Sequence, residues 1–154
     1  MKIFSLIIPV LVVVAAVWGS KITGGNMTWY HNLNLMPWTP PGAFIGIVWT
    51  IIFILFAISG VIVAQKAPLG SRFYIILGLM VLNLLLNVLW SYLFFGQHQI
   101  FPAIFEAMVL DLSVIALIVA IYPLSTLSAL LFLPYACWVA FATYLTYSIW
   151  FLNK

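Results

Sequence analysis

Two carboxamides and an indole share one face of the third long apolar segment. Asn83, Asn87 and Trp90 are spaced by four and then three residues, which aligns them along one side of an α-helix. An amide donates and accepts hydrogen bonds, and burying it in lipid without a partner is costly. We therefore expect this face to point into a helix bundle, where the amides either bond neighbouring helices or line a ligand cavity.

A second stripe lies in the last apolar segment, where Pro134, Trp138, Ala142 and Leu145 follow at spacings of four, four and three residues. The small Ala142 leaves space beside the indole of Trp138. That space suits either the close packing of a neighbouring helix or a slot for a flat ligand.

A rigid turn precedes the second apolar segment, within residues 38–42. Proline is tolerated at the first turn of a helix, where its missing N–H would have no partner. Pro40 and Pro41 therefore predict a helix start, and Trp49 follows about two turns into that helix.

The only two acids, Glu106 and Asp111, both fall in the fourth apolar segment. An acid at the centre of a membrane helix costs on the order of 2.5–3.5 kcal/mol, so each is a functional candidate. Five residues separate them by about 140° around a helix, which argues against a paired-carboxylate site. Glu106 lies near enough to the segment start to reach the interface. Asp111 lies nearer the middle and suits an interhelical hydrogen bond, a protonated neutral acid or a proton relay.

Other kinds of chemistry have little support in the sequence. There is no nucleophile–base pair, metal-ligand cluster or phosphate-binding loop, and His31 and His98 fall in different loops as expected surface residues. The single cysteine, Cys137, excludes an internal disulfide and is expected to be a small buried side chain. We therefore expect no metal site and no obligatory cofactor.

The composition places the chain in lipid. Hydrophobic residues make up 67% of it and charged residues 5%, whereas soluble domains have about 25% charged residues. The five basic residues are scattered and form no stripe, so nucleic-acid binding has no electrostatic support.

Five segments are long and apolar enough to cross a bilayer as helices, which takes about 20 residues each. They cover residues 3–20, 42–65, 72–95, 100–122 and 126–151, with turn-forming residues between them. The first break is expected at Gly24, Gly25 and Asn26, within a first loop that covers residues 21–41. The prediction is an all-α protein, a single domain over residues 1–154 that forms a bundle of five transmembrane helices. The first segment is longer than the apolar run of a signal peptide, so we expect it to remain as a span.

The sequence gives little information on the orientation of the protein in the membrane and on the contacts between its helices. Lys2, Lys66 and Arg72 fall on one side and Lys21 and Lys154 on the other, which favours an N-terminus inside the cell. Small residues four apart, Gly42 with Gly46 and Ala116 with Ala120, permit close helix approach within the bundle or between subunits.

Three motifs resemble those of the TspO/MBR family, the tryptophan-rich sensory proteins related to the mitochondrial translocator protein. The first combines residues 29–30, 37–42 and 48–49, the second covers 87–91 and 94–96, and the third covers 133–135, 138, 141–142 and 145. The motifs fall in register with the five spans, so the resemblance covers essentially the whole chain.

The resemblance implies a cavity beneath the first loop that binds porphyrins such as protoporphyrin IX and heme, and related hydrophobic ligands. Carried over position by position, its ligand-binding residues are Tyr30, Pro40, Trp49, Asn87, Trp90, Trp138, Ala142 and Leu145. The resemblance further implies a receptor or translocator in tetrapyrrole regulation or the oxidative-stress response, present as a homodimer in a bacterial cell membrane.

Two alternatives accompany that function. One is light-dependent oxidative degradation of porphyrin, in which Trp49 and Trp138 would be the reactive pair. The other is proton-coupled transport of a small hydrophobic substrate, with Asp111 carrying the proton.

The chain departs from the family pattern at several positions. Thr146 replaces a common asparagine, and Met36 replaces a common lysine, so one cation for a porphyrin carboxylate is missing there. Asp111 stands where many relatives are apolar. Tyr147 has no basic residue soon after it, and Lys154 comes too late, so we expect no dedicated sterol site.

Overall fold

Long uninterrupted apolar runs give the chain five long helices. The computed structural model describes residues 3–154. Its helices are α1 (Phe4–Gly25), α2 (Met27–His31), α3 (Gly42–Lys66), α4 (Ser71–Ser91), α5 (Ile100–Ile121), α6 (Thr126–Leu130) and α7 (Leu133–Asn153). A π-helical turn, Tyr92–Gly96, continues α4. No strand occurs in the described range, and five helical stretches are long and apolar enough to span a membrane, which confirms the predicted all-α bundle.

The first span is longer than predicted. The expected break at residues 24–26 occurs only at Asn26, so residues 21–25 belong to α1 and not to the first loop. The Asn26 side-chain amide donates to the carbonyl oxygen of Ile22 at 2.8 Å, which satisfies one of the free carbonyls of the last turn.

The last span is broken, whereas the sequence predicted one continuous helix. Ser125 caps α6 by accepting the Ser128 backbone N–H at 3.3 Å, and α6 ends at Leu130. Pro134 lies in the first turn of α7. Because proline has no N–H to donate, the first turn of a helix is the position where it is best tolerated, which favours a new helix start at this point.

The helices pack side by side around a ring. α1 packs against α3 and α4, α4 packs against α5, and α5 packs against α7, while the short α6 joins α3 to α5. α1 and α3 pack tightly at Gly60, where an added Cβ would overlap the Cγ2 methyl of Ile8. No atom lies within 4 Å of a Cβ placed on Gly46, so within the described chain Gly42 and Gly46 do not form the predicted close helix contact.

The outer surface of the ring is apolar, as expected for a multi-pass integral membrane protein. Leucine, isoleucine and valine side chains dominate it, and Trp18 is 62% exposed. Cys137 is also exposed, so the prediction of a buried cysteine was wrong. The reason is its position on α7, whose buried side carries Tyr135 and Val139 and leaves Cys137 facing outward.

Candidate functional site: a cavity beneath the first loop

A cavity of about 620 Å³ occupies the half of the bundle next to the first loop. Its walls come from α1, α2, α3, α4 with its π-helical turn, and α7, together with Leu110 of α5. The structure brings seven of the eight predicted ligand-binding residues to this wall: Tyr30, Trp49, Asn87, Trp90, Trp138, Ala142 and Leu145.

Pro40 is the predicted residue that does not line the cavity. The prolines precede α3 and do not occupy its first turn: Pro41 is the N-cap residue, with φ −57° and ψ 144°, and the helix begins at Gly42. Gly42 is therefore the first residue of this stretch to reach the cavity wall.

The two amides of α4 have different surroundings. Asn83 is fully buried away from the cavity. Its Nδ2 donates to the Ser113 hydroxyl at 2.7 Å, and its Oδ1 accepts from the Tyr135 hydroxyl at 3.0 Å. Asn83 thus joins α4 to α5 and α7. Of the two roles expected for the amides, it bonds neighbouring helices and does not line the cavity.

Asn87 lies one turn further along α4 and lines the cavity. Its Nδ2 donates to the Tyr135 hydroxyl at 3.1 Å, so Tyr135 bonds both amides. The Tyr135 ring also meets Trp49 edge-on, with the ring centroids 5.9 Å apart. This network fixes the positions of Asn87 and Trp49 in the wall, and the sequence had not singled out Tyr135 or Ser113 as its other members.

The indole N–H groups of Trp90 and Trp138 are buried and find no hydrogen-bond partner within residues 3–154. A buried donor left without a partner costs on the order of 1–3 kcal/mol. Both side chains line the cavity, but the two nitrogens themselves are covered by protein and are not open to it. These side chains can therefore present their ring surfaces, and not their N–H groups, to a bound molecule.

The π-helical turn enlarges the aromatic part of the wall. Wide turns of this kind occur often at functional sites. Phe94 and Phe95 are adjacent in the turn, yet both are buried and both line the cavity. Phe94 stacks on Trp90, with the centroids 5.1 Å apart and the planes inclined by 9°.

The first loop is held above the cavity by contacts at two points. Trp29 of α2 stacks on His98, with ring centroids 4.1 Å apart, and His98 has a φ of 56°. The Asn34 backbone N–H donates to Asn153 Oδ1 at 2.9 Å, and Asn153 Nδ2 donates back to the Asn34 carbonyl at 2.9 Å. We call this reciprocal pair the loop clasp. Burial raises the pKa of Tyr30 in α2, so its hydroxyl stays neutral at physiological pH.

The wall contributed by α1 was missed by the sequence analysis. Ala16, Ser20 and Thr23 all line the cavity, and Gly19 lies between them. Ala16, Ser20 and Thr23 are spaced by four and three residues, as Asn83, Asn87 and Trp90 are. A search for small and polar residues at helical spacing would therefore have identified this face of α1.

The two acids do not form part of the wall. Glu106 is buried, and neither of its carboxyl oxygens has a hydrogen-bond partner in the described chain. Asp111 lies at the middle of α5 and is only half-buried, whereas Glu106 lies nearer the start of the helix and is buried against its neighbours. Among the described residues no three His, Cys, Asp or Glu side chains come close enough to hold a metal ion.

Comparison with known proteins agrees with this architecture. The profile of the TspO/MBR family matches residues 7–151. The chain is 36% identical to the tryptophan-rich protein TspO of Bacillus cereus over 128 residues, 83% of this chain and 82% of that protein. It is 34% identical to the tryptophan-rich protein TspO of Archaeoglobus fulgidus over 160 residues, 99% of each chain. It is 31% identical to the human translocator protein over 134 residues, 86% of this chain and 79% of that protein. The chain therefore belongs to the TspO/MBR family.

Proposed function

We propose that the chain is a membrane receptor that binds a porphyrin-type ligand in the cavity beneath the first loop. The observation that carries this proposal is the cavity wall itself, which combines the indoles of Trp49, Trp90 and Trp138 with the amide of Asn87 in mainly apolar surroundings. A volume of about 620 Å³ falls in the range of about 300–1,000 Å³ that small-molecule sites occupy. Apolar walls with a few convergent polar groups are the usual composition of such sites.

The shape of the wall suits a flat macrocycle. Trp49, Trp90 and Trp138 provide indole surfaces, and an aromatic ligand gains both buried area and favourable ring geometry against them. Asn87 supplies the amide, whose orientation Tyr135 fixes. Protoporphyrin IX and heme are the ligands we propose on this basis, with a regulatory role in tetrapyrrole metabolism or oxidative stress.

The test is a titration of protoporphyrin IX into the purified protein in the dark, following tryptophan fluorescence. We expect saturable quenching by the wild type and weaker binding by Trp90→Phe and Trp138→Phe, which each replace an indole of the wall with a smaller aromatic ring. Trp18→Phe is the matched control, because Trp18 is exposed on the outer surface and does not line the cavity. Absence of saturable binding to the wild type would refute the proposal.

Light-dependent oxidation of the bound porphyrin is the second candidate. Its support is that Trp49 and Trp138 line the same cavity, so both indoles would lie against a bound ring. Illumination of the complex in air, with dioxygen as the oxidant, should then give a new absorbance band. Trp49→Phe and Trp138→Phe should abolish that band, and an unchanged spectrum would leave binding as the function.

Proton-coupled transport has less support. The proposed proton carrier, Asp111, is not among the residues that line the cavity, whereas its neighbour Leu110 is. The proposed proton carrier would therefore not touch a substrate that sits in this cavity. An Asp111→Asn variant with unchanged flux in liposomes would remove the hypothesis.

The homodimer is also a proposal. Ala116 and Ala120 are half-buried on α5, where small side chains allow another helix to approach. Sedimentation in detergent should then give twice the 17.3 kDa of one chain.

A further inference from the structure

A second, smaller cavity lies at the end of the bundle away from the first loop. It measures about 320 Å³ and lies between the connection from α3 to α4, residues 67–70, and the connection from α5 to α6. Ser71 and Arg72, at the start of α4, line one side of it, and Leu124 lines the other. Phe73, which is fully buried, completes the wall. The cavity therefore joins two connections that lie on the same side of the membrane.

This cavity carries positive charge and no negative charge. Arg72 lines it, and Lys66, the last residue of α3, directly precedes its lining residues; both basic side chains are exposed. The chain has only two acids, and both lie on α5. The nearer one, Asp111, is ten residues before Ile121 at the end of that helix, which is about 15 Å along its axis. Neither cation therefore has an acid beside it within the described chain, and we call the cavity together with Lys66 and Arg72 the basic pocket.

The connection that forms the basic pocket is held by the helices on both sides of it. The Ala67 N–H donates to the Val63 carbonyl oxygen at 2.9 Å, and the Tyr74 N–H donates to the Gly70 carbonyl oxygen at 3.1 Å. Pro68, between them, has a φ fixed by its ring. A site that is already ordered loses less conformational entropy when a partner binds.

The basic pocket lies at the depth of the lipid headgroups. A connection as short as residues 67–70 keeps the ends of two membrane spans close to the membrane surface. Tyr74 and Tyr122 are both exposed at this end, and tyrosine is enriched at the membrane–water interface. Leu69 is also exposed, so an apolar side chain lies in the same connection that the two cations flank. A partner that matches these groups has an anionic head and an apolar tail.

We propose that the basic pocket binds the phosphate group of an anionic phospholipid, with Arg72 as its main contact. A guanidinium donates two parallel hydrogen bonds to phosphate oxygens, and Lys66 adds a second positive charge at the edge. Basic pockets between membrane helices on the cytoplasmic side suit such headgroups, and the distribution of basic residues favours this end inside the cell. The proposal does not depend on porphyrin binding, because the two cavities lie at opposite ends of the bundle.

The experiment titrates two lipids into the protein in a non-ionic detergent and follows the melting temperature, because a ligand of the folded state stabilises it. The probes are dioleoyl phosphatidylglycerol and dioleoyl phosphatidylcholine, which share their acyl chains and differ in the net charge of the headgroup. The lipid concentration at half of the maximal rise gives the relative affinity. We expect the wild type to bind phosphatidylglycerol about fivefold to 25-fold more tightly, as for one or two cations near a membrane surface. The preference should shrink as salt is raised, because salt screens exposed charges.

Variants assign that preference to the basic pocket. Arg72→Gln should weaken phosphatidylglycerol binding about fivefold and leave phosphatidylcholine binding within about twofold, which also shows that the variant is folded. Arg72→Lys should lose only about twofold, because it keeps the charge and loses the planar fork. Ser71→Trp should weaken phosphatidylglycerol binding as Arg72→Gln does, because it fills the cavity without removing a charge. Lys154→Gln is the matched control and should bind like the wild type, because Lys154 is an exposed lysine at the opposite end of the bundle, next to the loop clasp.

Three results would overturn the proposal. One is equal affinity of the wild type for the two lipids. Another is an equal loss in Arg72→Gln and Lys154→Gln, because the preference would then come from the net charge of the protein and not from the pocket. The third concerns inorganic phosphate in excess over the lipid, which should leave phosphatidylglycerol binding within about twofold because the acyl chains add apolar contacts. Displacement of the lipid by phosphate alone would assign the pocket to a free anion instead.

Discussion

Replacing each amide of α4 by leucine should separate structure from binding. Asn83 makes two hydrogen bonds to buried partners and does not line the cavity. Asn87 makes one hydrogen bond from its side chain, to Tyr135, and does line the cavity. Asn83→Leu and Asn87→Leu keep the side-chain volume roughly constant, so the loss of polar contacts dominates both changes.

The expected magnitudes follow from the number of bonds. Interhelical hydrogen bonds in membranes contribute about 0.6 kcal/mol each on average and up to about 1.7. Asn83→Leu should therefore lower the free energy of unfolding by about 1–3 kcal/mol. The loss of stability is limited because both former partners keep another hydrogen bond. Ser113 still donates to the Leu110 carbonyl, and the Tyr135 hydroxyl still accepts from Asn87. Asn87→Leu should lose about half as much stability.

Binding should change in the opposite order. Asn83→Leu should leave the affinity for protoporphyrin IX within about twofold of the wild type. Asn87→Leu should weaken it about fivefold or more, the equivalent of roughly 1 kcal/mol for one lost polar contact. Unfolding in SDS and fluorescence titration on the same preparations measure the two quantities. If Asn83→Leu weakened binding as much as Asn87→Leu, the division between network and cavity wall would be refuted.

Three further changes test other parts of the structure. Gly60→Ala should destabilise the fold by about 1–3 kcal/mol in SDS unfolding because its methyl would overlap Ile8, whereas Gly78→Ala, with no atom within 4 Å, should not. The raised pKa of Tyr30 means that its contribution to stability is complete below pH 10 and is lost as the pH rises through the folded value. Above pH 10 the melting temperature of the wild type should therefore fall by more than that of Tyr30→Phe. An equal decrease in the two proteins would contradict this. Asn153→Ala removes the loop clasp and should speed porphyrin dissociation about twofold to fivefold in stopped-flow measurements; an unchanged rate would show that the clasp does not retain the ligand.

The five spans were predictable because their signal is additive over many residues. A run of about 20 apolar side chains suffices to identify a span, and only the ends depend on local detail. The end of α1 was placed five residues too early because Gly24 and Gly25 were expected to break the helix. They remain helical, and Asn26 ends it. A helix cap depends on a single side chain, so the apolar content of a whole segment does not locate it.

The cavity was partly predictable for a related reason. Helical spacing identified the stripes that contain Asn87 and Trp138, but spacing cannot tell which neighbour a stripe faces. Asn83 and Asn87 lie one turn apart on the same stripe, yet Asn83 faces Ser113 and Tyr135 and Asn87 reaches the cavity. That difference depends on where the other helices cross α4, which is a property of the whole bundle.

The central claim, that the ligand occupies the cavity beneath the first loop, is tested most directly by filling that cavity. Ala142 lines it, and Ala140 lies two residues away on the exposed side of the same helix. We predict that Ala142→Phe lowers the affinity for protoporphyrin IX by a factor of about 30 or more through steric exclusion, while Ala140→Phe binds like the wild type. Equal binding by both variants, with both folded, would place the ligand elsewhere and contradict the account.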